Sequence, residues 1–169
     1  MPERRAGPTL VIGLGNPLMT DDGAGLAALA ALDKAWSLAG DVELVDGGTW
    51  GMNLLPLIED AGRLLFLDAV HVNARPGTVV EMERDELPKF FALKLSPHQI
   101  DLKEVLAVAQ LRGTLPDDTV AIGIEPEAIE LGTTLRPVVE AGLGEMVDRA
   151  VRRLDGWGHQ ATERRAAYA

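Results

Sequence analysis

Residues 11–25, VIGLGNPLMTDDGAG, run from an apolar segment into a glycine-rich turn that carries two adjacent carboxylates, and the turn opens directly onto LAALAALDKAW. A strand, a tight turn and a helix in that order belong to a βα unit of a parallel sheet. They place polar groups at the carboxyl edge of that sheet, where open α/β sheets receive their ligands. A glycine turn before a helix often holds phosphate on free backbone N–H groups. Asp21 and Asp22 oppose that use, because two carboxylates repel an anion. They suit a cation or a proton transfer.

The same alternation continues along the chain. Thr9–Leu14 reads as a buried strand and Gly25–Trp36 as an Ala/Leu-rich helix buried over a wide face. Asp41–Val45 is a short strand ending in a second glycine turn, Asp46-Gly47-Gly48-Thr49. Met52–Ile58 is helical, with Pro56 limiting its length or shifting its start. Arg63–Val70, RLLFLDAV, is the clearest central strand, and Thr78–Met82 is a further one with partial alternation. Asp101–Leu111 is a helix, Thr119–Ile124 a strand, and about Pro137 to Leu154 a last helix in which Gly142 and Gly144 are poor helix formers. Strands alternating with helical patterns of 10–15 residues predict a three-layer α/β/α sandwich with a mostly parallel central sheet. At 169 residues the chain is expected to be a single α/β domain, with its core over about residues 9–154 and a mobile tail at 156–169.

Charge narrows the function. There are 26 Asp and Glu against 16 Lys and Arg, a net charge of −10, which argues against a nucleic-acid partner. No segment approaches the ~20 apolar residues of a membrane span. Neither is there a basic and apolar leader with a cleavage site. The chain has no cysteine, which removes thiolate metal sites and a Cys nucleophile and fits the cytoplasm. Serine occurs only as Ser37 and Ser96, neither in a G-x-S-x-G elbow.

Three strand ends supply the candidate site. The first gives Asn16, Asp21 and Asp22. The next gives Asp68, a charge after four apolar residues and costly to bury without a partner or a metal. The last gives His98, in Leu95-Ser96-Pro97-His98-Gln99, just ahead of a helix. Carboxylates and a neutral imidazole from separate loops form an N/O ligand set suited to a borderline divalent ion such as Zn²⁺ or Ni²⁺, or to activating water. His71, three positions after Asp68, is either a fourth ligand or a solvated loop histidine, and His159 lies in the tail. Adjacent residues in a turn point different ways, so one of Asp21 and Asp22 reaches a ligand and the other caps the helix. Spacing does not say which.

At these residues the chain resembles the NiFe-hydrogenase maturation proteases. The marks are GLGNPLMTDDGAG, DGGT at 46–49, LLFLDAV at 64–70, SPHQIDLKEVL at 96–106 and IGIEPE at 122–127, covering about Leu10 to Leu154. The resemblance implies an aspartyl-type endopeptidase that removes the C-terminal extension of the hydrogenase large-subunit precursor once nickel has been inserted. Asp22, Asp68 and His98 fall on the family's nickel-contacting and catalytic positions, with the attack made either through the bound metal, polarising the carbonyl or a water, or through Asp22 or Asp68 as general base. It further implies that the nickel is carried by the substrate rather than held tightly by the enzyme, other divalent ions being able to substitute. Loops at 16–25, 46–52, 68–76 and 96–99 are expected to surround the incoming segment, with Trp50 and Met52 either exposed for apolar contact or buried in the next helix. Two other readings stand beside this one. A non-catalytic chaperone would hold the nickel-loaded precursor without cutting it. A peptidyl-tRNA hydrolase-like esterase shares Gly13-Leu14-Gly15-Asn16-Pro17, but Leu18-Met19-Thr20-Asp21-Asp22 departs from that family's continuation.

Overall fold

The computed structural model describes residues 6–48, 50–92 and 100–165. Its elements are β1 (Thr9–Leu14), α1 (Ala24–Ala35), β2 (Trp36–Leu38), β3 (Val42–Gly48), α2 (Leu55–Asp60), β4 (Arg63–Ala69), β5 (Val79–Glu83), α3 (Leu87–Ala92), α4 (Ile100–Leu111), β6 (Thr119–Ile124), α5 (Pro137–Gly156) and β7 (Ala161–Glu163). Five strands form one sheet in the order β3-β1-β4-β6-β5. The first four are parallel, and β5 runs antiparallel to β6 at the edge. The expected α/β/α sandwich with a mostly parallel sheet is what the chain forms.

Strands β1, β4 and β6 are buried along their whole length, which is why they read as unbroken apolar runs and not as alternating ones. Their side chains still alternate between two cores. Leu10, Ile12, Leu14, Leu64, Phe66 and Ala121 pack on one side, against α2, α3 and α4 through Ile58, Leu87, Leu102, Val105 and Leu106. Val11, Leu65, Leu67, Val120, Ile122 and Ile124 face the other side, against Ala28, Leu29 and Leu32 of α1 and Val139, Met146, Ala150 and Leu154 of α5. Each fully buried aliphatic side chain contributes on the order of 1.5–3 kcal/mol. Asp68 falls in the sequence of alternation with Leu64 and Phe66, and so lies on the α4 side.

Local departures have local causes. The 51–54 stretch is a 3-10 turn, and Pro56 sits in the first turn of α2, where its missing N–H costs nothing. Gly142 is inside α5 because a Cβ there would lie 2.5 Å from Ile124 Cδ1 and 3.0 Å from the Gly77 carbonyl, so the helix can lie on the sheet only without one. β5 and α5 are joined by Arg153, which bonds Glu81 at 3.0 Å and Glu83 at 2.7 Å. Partial burial works against its charge, but the two carboxylates outweigh it and hold the guanidinium pKa above its ordinary value.

The segment expected to be a mobile tail is ordered structure through Glu163. α5 runs on to Gly156, and β7 pairs antiparallel with β2, Trp36 opposite Glu163 and Leu38 opposite Ala161. His159 Nε2 lies 2.7 Å from Thr9 Oγ1. Arg63 stacks over the Trp157 ring at 5.5 Å while donating to Asp118 at 2.9 Å. Three-residue strands carry no periodic signal, which is why neither β2 nor β7 is visible in the sequence. Among the described residues no helix is long and apolar enough to cross a membrane.

Candidate functional site

The turn between β1 and α1 is folded against itself so closely that its glycines have no substitutes. Gly15 has φ +119°, and a Cβ there would lie 1.9 Å from the Asp22 carbonyl oxygen. Only glycine adopts that conformation without strain. A Cβ on Gly25 would lie 2.2 Å from the Leu67 carbonyl, 2.5 Å from that of Leu14 and 2.8 Å from the Asp68 Cα. The start of α1 therefore rests on the ends of both β1 and β4, and the 20–23 turn packs against β4. Two stretches far apart in sequence, the turn bearing Asp22 and the strand end bearing Asp68, are brought together by the absence of a side chain at position 25.

The structure separates the two adjacent aspartates. Asp21 is fully buried and takes three backbone amides from one loop: Glu127 and Ala128 on Oδ2, both at 2.9 Å, and Arg136 on Oδ1 at 2.8 Å. It does not cap α1, whose N-cap Gly23 has no side-chain bond. It fastens the loop after β6 to the loop after β1 and takes the N–H of Arg136 at the start of α5. The same junction holds Thr20 at φ 47°, a strained value for a β-branched residue. Thr20 Oγ1 donates to the Ala128 carbonyl at 2.8 Å and accepts from Glu130 N–H at 3.1 Å.

Asp22 points elsewhere. It is 2 % exposed, and its Oδ2 accepts the Asn16 N–H at 2.9 Å. Asn16 completes the turn with its own Oδ1, which accepts Leu18 N–H at 3.0 Å. Asp68 is completely buried in β4, with Oδ1 accepting Ala69 N–H at 2.8 Å. Two carboxylates buried at neighbouring strand ends are expensive unless amides, a cation or a proton compensates them.

His98 lies outside the described residues, as does Ser96. Among the described residues no three His, Asp or Glu side chains lie close enough to hold a metal. His71 is paired with an acid instead: its Nδ1 lies 3.2 Å from Glu125 Oε1. Ser37 is an exposed residue of β2, on the ribbon paired with β7. Trp50 and Met52 are 54 % and 47 % exposed, so they are not core residues of the following helix.

Sequence reasoning missed Glu125. It is 1 % exposed, and its two oxygens accept Ala74 N–H at 3.0 Å and Val72 N–H at 3.1 Å, winding the 70–77 loop around a buried carboxylate. The signal was there to be read: like Asp68, Glu125 is an acid at the end of an unbroken apolar strand.

The family described as hydrogenase maturation protease matches this chain over residues 27–153. The hydrogenase expression/formation protein HupD of Rhodobacter capsulatus is 39% identical over 165 residues, covering 96% of this chain and 79% of that protein. The hydrogenase 2 maturation protease of Escherichia coli is 35% identical over 160 residues, covering 94% of this chain and 98% of that one. Among solved structures, the hydrogenase maturating endopeptidase HybD from E. coli superposes with a TM-score of 0.89 at 34% identity, covering 95% of this chain and 99% of that one.

Proposed function

Because this chain belongs to the hydrogenase maturation protease family, we propose that it is the endopeptidase that removes the C-terminal extension of a NiFe-hydrogenase large-subunit precursor, acting after nickel insertion. One observation carries the reading beyond likeness. Asp22 and Asp68, from distant parts of the sequence, are both buried at adjoining strand ends on the carboxyl edge of the sheet. An imidazole from residue 98, two positions before α4 begins, would complete an N/O set of a kind that borderline divalent ions accept.

In this reading the nickel arrives with the substrate, and Asp22, Asp68 and His98 add carboxylate and imidazole to its open positions. The metal thereby fixes the precursor chain across the strand ends. A carboxylate of the pair takes a proton from the attacking water. The lack of cysteine is compatible with this division of labour, since the enzyme brings no thiolate to compete for the ion. The partner is the precursor itself, in the cytoplasm, and neither nucleic acid nor membrane is needed. Trp50 and Met52, exposed beside the glycine turn after β3, are suited to apolar contact with the incoming segment.

The test is incubation of the protein with nickel-loaded and nickel-free precursor, read by intact mass. A C-terminal loss in the loaded sample alone is expected. Equal cleavage of both would refute the dependence on nickel, and a stable complex without a cut would favour the chaperone reading.

A further inference from the structure

Glu125 and His71 form a unit that the reading above does not use. Glu125 lies one residue beyond β6, and extended pairing with the chain entering β5 continues through it. Its N–H donates to the Thr78 carbonyl at 2.9 Å, and its carbonyl accepts Gly77 N–H at 2.8 Å. Along β6, Val120, Ile122 and Ile124 face α1 and α5 while Ala121 faces the other core. Alternation therefore turns Gly123 and Glu125 to the Ala121 side, which is also the side of Asp68. Asp68 and Gly123 are register partners. The Glu125 carboxylate thus lies on the same sheet face as Asp68, one strand over and two residues further toward the open edge.

The two Glu125 oxygens accept two backbone amides, and His71 Nδ1 lies 3.2 Å from Oε1. The His71 side chain is 43% exposed, so the ring is anchored at one nitrogen and open to water over the remainder. Glu125 faces one ring nitrogen, and Nε2, the other, is the proton-transfer atom left to a substrate at the carboxyl edge.

We propose that His71, positioned by Glu125, is the general acid that protonates the leaving amine in precursor cleavage; this rests on the processing reading above. β4 has two neighbours in the sheet, β1 and β6. A peptide whose carbonyl sits where the ends of β1 and β4 meet directs its departing half toward β6 and the 70–77 loop. The water oxygen bonds to the carbonyl carbon as a carboxylate of the Asp22/Asp68 pair takes one water proton. The C–N bond breaks as its electron pair takes up the proton from His71 Nε2. The products are a new carboxyl terminus and a free amine, and His71 regains its proton from solvent. No oxidant, reductant or co-reactant is needed. Glu125 touches neither substrate nor water in this scheme and is a positioning residue.

The variant that isolates the role is His71→Asn. Its amide nitrogen takes the place of Nδ1 and keeps a donor for Glu125, while Nε2 is removed. Single-turnover cleavage is measured on nickel-loaded precursor carrying the scissile amide, and on precursor in which an ester, made by protein ligation, replaces that amide. An alkoxide departs with far less need of a proton than an amine does. Amide cleavage should fall by about a hundredfold or more, while ester cleavage stays within about tenfold of wild type. The ester arm is also the folding control, because a damaged fold slows both. Amide cleavage within about threefold of wild type, or equal loss on both substrates, overturns the proposal. A wild-type protein that cuts neither substrate refutes the processing reading and this proposal with it.

Discussion

Asp21 and Asp22 are adjacent, identical and both buried, yet their substitution should fail in opposite ways. In Asp21→Asn, one amide oxygen can still hold Glu127 and Ala128 N–H, but the new NH₂ meets the Arg136 N–H donor to donor. A bond to a charged group is worth about 1.5–3 kcal/mol, and a neutral one roughly half of that. Losing one and weakening two gives about 3–6 kcal/mol. The three amides are only part-buried, so water recovers some of this and about 2–4 kcal/mol is expected. For a chain of 169 residues that corresponds to a fall of about 5–15 °C in Tm. Well below its own melting temperature, the variant should still process precursor. In Asp22→Asn, the amide oxygen can keep the Asn16 N–H while a buried charge disappears, so the Tm loss should be the smaller of the two. Processing should nonetheless fall by about a hundredfold or more. Thermal melts by circular dichroism, with single-turnover cleavage read by mass, measure both. A larger Tm loss in Asp22→Asn, with Asp21→Asn folded but inactive, would refute the assignment.

Gly25→Ala should cost about 1–3 kcal/mol, because its Cβ meets backbone oxygens that cannot step aside, and should lower turnover by lifting the Asp22 turn off β4; unchanged turnover in a thermal melt-matched assay would show that this approach does not set the site. His98→Ala should leave Tm within about 2 °C of wild type while abolishing processing, and a collapse of Tm alongside activity would make that residue structural.

Legibility followed the length of the pattern. β4 and β6 are visible because each is buried on both faces, so six or seven residues in a row report the same environment. The 156–165 region was unreadable for the opposite reason. A three-residue ribbon and long-range contacts such as that from His159 to Thr9, 150 positions away, leave no mark on local composition. At the site, glycines told where the backbone must approach closely, and acids at strand ends told where charge is buried. Neither told what each acid bonds. Asp21 is recognisable as a fastening only once residues 127, 128 and 136 are beside it, more than 100 positions on.

Those distant partners explain how the edge keeps its shape without an apolar core of its own. Asp21 ties the loop after β1 to the loop after β6, and Glu125 ties the end of β6 to the loop after β4. Three of the central strand ends are thereby linked in a chain by buried carboxylates on backbone amides. Such bonds are directional, and five amides held by two acids fix loop geometry more tightly than apolar contact, which tolerates sliding. Some large apolar side chains of the edge loops face outward: Leu18 is 57 % exposed, Leu131 86 % and Trp50, in the loop after β3, 54 %. Under the proposed function, a site that accepts the chain end of a folded precursor has use for both properties. Catalytic groups need positions accurate to a fraction of an ångström, so the frame beneath them should be rigid. The polypeptide that docks needs apolar surface that water does not hold strongly, and the loops can offer it because their own fastening is polar.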